Sequence, residues 1–300
     1  MAKPIRILLQ TTIPTAEDDW NITRFSLLQD YLSSQKNEAG EALFSVTTRD
    51  RTPDESGSDP VLSNLGESDF DEIWLFGVDN GNGLTEKEGA GIAAFHKRGG
   101  GILASRDHND LGISFGNLGT ACNPVSNSHH FHSQNPEPDP ERRCVDDTAE
   151  DISWPNYHSG ANGDCQKVTV PEPVHELMRT PSGVVENLPS HPHEGAISVP
   201  PGASHARAIA TGSSKVTNRS FNLIVAFESI EDAEGHKLGR AIAESSFHHF
   251  VDYNWDPNLG CPSFVGNDSP SDRIQKNPQL LEDVKAYVRN AALWLAPQTA

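Results

Sequence analysis

Histidines beside carboxylates are the residues of this chain best suited to proton transfer or metal binding near neutral pH, where imidazole titrates. They stand in three places. Ser105-Arg106-Asp107-His108 follows the run Gly-Gly-Gly-Ile-Leu-Ala; His248-His249 follows a second apolar run and precedes Asp252, Tyr253 and Trp255; His129-His130-Phe131-His132 lies in a Pro- and Asn-rich stretch with His158 downstream. A carboxylate next to an imidazole can orient it as a general acid or base, so Asp107 with His108, and His249 later in the chain, are the catalytic candidates. The bland alternative at 107–109 is a helix cap, with Asp107 or Asn109 satisfying free amides and His108 merely adjacent. Ser105 offers a hydroxyl nucleophile, but neither G-x-S-x-G nor G-x-C-x-G occurs to give it the sharp turn such a group needs.

The cluster His129, His130 and His132 supplies imidazoles that, with Asp146, Asp147 or Asp164, have the ligand types of a zinc or other divalent site. No spacing matches H-E-x-x-H, and the acidic run from Asp146 to Asp151 lacks the EF-hand pattern. A polar loop whose histidines line a cleft without metal is the competing reading. Beyond that divalent ion the sequence requires no cofactor.

The elements that must position these groups can be read from periodicity. Ile5 to Leu9, Phe44 to Thr48, Ile73 to Phe76 and Ile102 to Ala104 are short apolar or alternating runs that predict strands. Between them, Asn21 is a predicted N-cap for a helix with Ile22, Phe25, Leu28, Tyr31 and Leu32 on one face, and Thr85 with Glu88 predicts a capping box. From about 106 to 195 the periodicity dissolves, and residues 109–195 read as a loop-rich, His- and Pro-rich insertion. Strands are predicted again at Ala206 to Ala210, Leu223 to Glu228 and Gly239 to Glu244. A C-terminal helix starting at Asn277-Pro278 carries Leu280, Leu281, Val284, Tyr287, Val288, Ala291, Trp294 and Leu295 on one face. The expected architecture is a single α/β domain spanning 1–300, with a doubly wound, mostly parallel, flavodoxin-like sheet.

In such sheets ligands bind outside the carboxyl ends of the strands. That rule selects Asp79, Asn80, Arg106, His248, Asp252, Tyr253 and Trp255 as ligand-binding candidates, with Asp18 and Asp19 also at a strand end. Adjacent residues on a strand point to opposite faces, so only one of His248 and His249 can face a given cleft. Trp154, Tyr157, Tyr253 and Trp255 fall in predicted loops, where aromatic rings either stack on ligand faces or pin the loops down.

The formal charge of −19 repels phosphate backbones and no basic patch offsets it, so nucleic acid is not an expected partner. No run approaches the roughly 18–20 apolar residues of a membrane helix, and the N-terminal segment lacks a signal-peptide pattern; the expectation is a cytoplasmic protein. Cys122, Cys144, Cys165 and Cys261 show no C-x-x-C spacing, which leaves buried thiols as the simplest reading beside a disulfide.

The segment FDEIWLFGVDNGNGLTEKEGAGIAAFHKRGGGILASRDH at 70–108 resembles the signature of ThuA-like (trehalose-utilisation) proteins. GRAIAESSFHHF at 239–250 and NAALWLA at 290–296 resemble that family's later strand and last helix. The resemblance implies a class I glutamine amidotransferase-like fold without the amidotransferase triad, because no cysteine lies nearer the 105–108 turn than Cys122. It also implies a link to carbohydrate metabolism. By the same resemblance His108 falls near the family's strand-end histidine, a match that Ser105 or Arg106 can also take. His249 falls on the last residue of a Gly-His pair, with His248 in place of the glycine. The leading expectation is therefore an enzyme acting on a sugar or similar small polar metabolite, with Asp79, Asp107 and Asp252 orienting His108 and His249. A non-catalytic ligand-binding or scaffold protein, and a metal-dependent hydrolase using His129–His132, are the alternatives.

Overall fold

The computed structural model describes residues 3–118, 125–142, 152, 156–265 and 269–297. A seven-stranded sheet organises them: β1 Ile5–Thr11, β2 Phe44–Arg49, β3 Glu72–Phe76, β4 Gly101–Ser105, β5 Ala206–Ser213, β6 Ser220–Phe227 and β7 Ala241–Glu244, in the order β5-β6-β7-β4-β3-β1-β2. Strands β2, β1, β3, β4 and β7 run parallel, while β6 and β5 extend the sheet antiparallel. The parallel part has the strand order 2-1-3-4-5 of flavodoxin-like sheets, as the alternation of strands and helices leads one to expect.

Side-chain alternation splits the core in two. Ile7, Leu9, Trp74, Phe76 and Leu103 face one side with α1 (Ser26–Ser34) and the C-terminal α3 (Leu281–Leu295); Leu8, Ile73, Leu75, Ile102 and Ala104 face the other with α2 (Glu86–Lys97). Both faces are covered, so these strands read as continuous apolar runs.

The capping box forms: Thr85 Oγ1 accepts from the Glu88 amide, and Glu88 accepts from the Thr85 amide. Two other caps differ from expectation. Asn21 caps a 3-10 turn at Ile22–Phe25, and α1 starts one turn later. Asn277 makes no side-chain cap; a 3-10 turn at Pro278–Leu280 precedes α3.

Within 109–195 the described residues are better ordered than aperiodic sequence suggests. His129–His130 and Asn156–Tyr157 flank Glu194–Ile197 in a small antiparallel sheet, and Cys165–Lys167 pairs with Asn187–Pro189. Leu177, Met178, Val185 and Leu188 join the core beside α3, and Tyr157 stacks on Phe221 at 4.6 Å. Each piece is two to four residues long, too short to show a period. Cys165 and Cys261 are free thiols, and burial pushes Cys165 up to about 12; Cys122 and Cys144 lie outside the described residues, as do Trp154, Asp146 and Asp147. No helix among the described residues is long and apolar enough to cross a membrane.

Candidate functional site

The chain leaves β4 at Ser105 and turns at once. Arg106, fully buried, points away from solvent and donates to the carbonyl oxygens of His108, Asn109, Leu111 and His130 while lying over the Phe131 ring. Burial lowers its guanidinium to about 10, which still leaves it charged. Arg106 is thus a brace for the 108–111 turn and makes no part of a cleft wall. Asn109 completes the turn in the left-handed region (φ 45°), a conformation asparagine tolerates, and exchanges hydrogen bonds with Asn156.

This turn places Asp107 and His108 on the floor of a cleft of about 430 Å3 at the carboxyl ends of the parallel strands, where Asn80, Asn162, His191, His193 and His248 also line it. Trp20, Val78, Leu111, Ile152, Val265 and the exposed Phe264 give it an apolar wall. Asp107 is the hub. Its Oδ1 accepts from Ser246 Oγ at 2.8 Å; its Oδ2 accepts from His108 Nδ1 at 3.0 Å and lies 3.1 Å from His191 Nε2 and 3.7 Å from His248 Nε2. Burial alone would raise this carboxyl, but the imidazoles and the His108 hydrogen bond outweigh it and hold Asp107 well below the usual carboxylate range. Burial, opposed by Asp107, pushes His191 down to about 4, and burial with His191 alongside pushes His248 well below its ordinary value. The Asp107 carboxylate therefore faces the edges of two buried imidazole rings.

Backbone packing fixes this hub closely. Gly195 carries no side chain where one would strike the Asp107 carbonyl oxygen at 2.5 Å and that of Ser245 at 2.9 Å. Asn162 Oδ1 holds His191 Nδ1, Asn254 Oδ1 holds His248 Nδ1, both at 2.7 Å, and Trp20 meets the His248 ring edge-on.

Of the residues predicted for the site, Asp107, His108, Asn80 and His248 line the cleft, as does the strand-end Asp19. The others are placed elsewhere. His249 is buried behind it, with Nδ1 2.9 Å from Glu244 and Nε2 3.5 Å from Glu194, and these two carboxylates outweigh burial to raise it to about 10. The pair sits in a 3-10 turn rather than on a strand, yet the two rings do part, one to the cleft and one to the core. Asp252 caps α1, accepting from the amides of Ser26 and Leu27 and from Ser26 Oγ. Asp79 accepts from the amide and hydroxyl of Ser114, capping the 112–114 turn, and from the amide of Gly81 in its own loop. Tyr253 and Trp255 pack in the core, with Trp255 Nε1 donating to the His249 carbonyl. Ser105 is fully buried within β4.

Among the described residues the predicted metal cluster is not assembled. His129 is enclosed near Phe115 and Phe131, His130 bonds to Asn135 O and Ser198 Oγ, and His132 is exposed. Side chains at 129 and 130 point to opposite sides of a short strand, which separates their nitrogens. Donor atoms do converge around His191, in the groups Asp107–His191–His248 and His108–His191–His193. Sequence reading missed His191 and His193. Their signal was a His-x-His in PSHPHEG, the same pattern that drew attention to 130–132.

No protein-family model matches the chain, and no curated protein matches it in sequence. Among solved structures it is similar to a protein described as ThuA-like from Parabacteroides merdae, with 14% identity, a TM-score of 0.48, and coverage of 99% of this chain and 93% of that one. It is also similar to the glutaminase domain of Trypanosoma brucei CTPS with bound acivicin (12% identity, TM-score 0.45, 98% of each chain). The N-terminal domain of mmIFT52 is similar over 82% of this chain and 88% of its own, at 12% identity and a TM-score of 0.46. Likeness at this level carries no argument about function, and the chemistry of the cleft has to be argued from its own residues.

Proposed function

We propose that the cleft around Asp107 binds and transforms a small polar metabolite of the carbohydrate class, with His108 as the proton-transfer group. The observation that carries this is the shared Asp107 carboxylate. It is buried, ionised and hydrogen-bonded to His108 Nδ1, which orients that ring and leaves Nε2 as its remaining nitrogen. His108 is partly exposed on the cleft floor, as a group that meets a substrate must be. A positioned imidazole of this kind contributes about 10^2- to 10^4-fold to a proton transfer.

The walls favour a molecule with both polar edges and apolar faces. Phe264 offers an exposed ring at the cleft and Trp20 a buried one, the kind of surface on which the C–H face of a sugar ring packs. Asn80, Asn162 and His193 supply hydrogen-bonding groups opposite them, and Asn162 Nδ2, buried, has no partner among the described residues. The resemblance of 70–108 and 239–250 to ThuA-like sequences supports the same class.

The test is a thermal-shift panel of neutral mono- and disaccharides and their keto forms on the wild type, Phe264→Ala and His108→Ala, followed by turnover assays on any binder. The reading expects at least one sugar to stabilise the wild type, the Phe264 variant to lose that shift, and His108→Ala to bind without turnover. If no sugar or keto-sugar shifts the wild type at millimolar concentration, the carbohydrate assignment fails.

A further inference from the structure

The hydrogen bonds behind the stacked pair settle which nitrogen of each ring carries hydrogen. Asn254 Nδ2 donates to Ser190 O at 2.9 Å and to Asn162 Oδ1 at 3.0 Å, so Asn254 must turn Oδ1 to His248. Asn162 Oδ1, already accepting from Asn254, is in turn the atom that faces His191. Both rings therefore donate through Nδ1. Each ring thus turns its other nitrogen, Nε2, to the carboxylate of Asp107, at 3.1 Å from His191 and 3.7 Å from His248. Two ring nitrogens and a carboxylate oxygen, all buried and within 4.8 Å of one another, therefore converge on one point of the cleft floor.

We propose that Asp107, His191 and His248 bind one divalent first-row transition-metal ion of the zinc class on the cleft floor. An N2O donor set suits such ions, and a ring nitrogen held by a carbonyl oxygen on the far side is the usual support of a ligating histidine. Asn162 and Asn254 supply that support. His108 and His193, grouped with His191 on the cleft side, flank the face left open to an incoming molecule. The rings lie parallel, 8° apart, so seating one ion requires them to splay. Both rings are buried on the floor rather than on the rim, which restricts the site to a small, desolvated ion. The exposed group Asp232–Glu234–His236 is a weaker competitor, lacking such enclosure.

The inference rests on the reading of this cleft as the functional site, and an ion there would polarise a carbonyl or hydroxyl oxygen of the bound molecule. Its test needs no sugar. The untagged full chain is stripped with EDTA and titrated with Co2+ alone, followed by calorimetry and visible absorption, and then displaced with Zn2+. The expected result is one equivalent of Co2+ with d–d bands, displaced by Zn2+. Affinity should fall at least tenfold in His248→Ala and about 10- to 100-fold in Asn254→Ala, where only the support is lost. The proposal is overturned if the folded wild type takes up neither ion below millimolar concentration, or if binding is unchanged in His248→Ala and so lies on the surface group. The wild-type titration decides the matter even where a variant fails to fold. A chain that binds metal but no sugar contradicts only the carbohydrate reading; one that binds sugar after EDTA and takes up no ion contradicts only this one.

Discussion

His191 and His248 stack face to face, with ring centroids 3.5 Å apart and planes 8° from parallel, and both turn Nε2 toward one oxygen of Asp107. Three segments far apart in sequence meet there: the turn after β4, the Pro-rich stretch before Glu194, and the 3-10 turn after β7. The sheet brings the first and third together because β4 and β7 are parallel neighbours, with Ser105 paired to Glu244.

His108 and His249 should separate chemistry from stability. His108 is part-exposed and touches Asp107 only through Nδ1, so His108→Ala is expected to lower kcat by about 10^2- to 10^4-fold with little change in Tm. His249→Gln leaves the buried Glu194 and Glu244 without their cation and should cost about 3–5 kcal/mol in urea denaturation. The reverse pattern would place the chemistry at His249.

Gly195 should prove intolerant. The added methyl of Gly195→Ala would meet two carbonyl oxygens, one of them that of Asp107. Overpacking of this kind costs about 1–3 kcal/mol, and displacement of Asp107 should weaken ligand binding at least tenfold by calorimetry. Unchanged affinity would mean that the Asp107 position is not critical.

Asp252 should behave as a cap. Asp252→Ala frees the amides of Ser26 and Leu27 and should destabilise the chain by about 1–2 kcal/mol while leaving ligand affinity within about twofold. A large loss of affinity with full stability would return Asp252 to the binding site.

Glu72 gives a pH test remote from the cleft. Burial raises its carboxyl well above the ordinary value, against the hydrogen bond from Trp74 Nε1. A folded value above the unfolded one of about 4.5 contributes stability below pH 4.5 that is lost as pH rises toward the folded value. Glu72→Gln keeps an acceptor for Trp74 and carries no charge, so it should be more stable than wild type at pH 8 and lose that advantage near pH 4. Denaturant midpoints across this range decide it; no pH-dependent difference would mean that Glu72 titrates in the fold as it does in the unfolded chain.

Much of the scaffold was legible because strands buried on both faces read as apolar runs, and because the Thr85–Glu88 cap is a local pattern. The turn at Asp107-His108 was legible through the strand-end rule. What escaped depends on contacts distant in sequence. Asp252 looks like a ligand group until α1 is seen to lie over it, and so does Arg106 until its donors are found on four carbonyl oxygens. His130–His132 and His191–His193 carry the same His-x-His spacing, and only the folded structure tells which of them enters the cleft. Burial of His249 between two carboxylates has no local signature at all.

The central claim, that ligand binding centres on Asp107, is tested most directly by calorimetry on wild type and Asp107→Asn with whichever sugar or keto-sugar gives the largest thermal shift. Loss of the shared carboxylate should weaken binding at least tenfold while circular dichroism still reports a folded chain. Equal affinity in the folded Asp107→Asn protein would contradict the account.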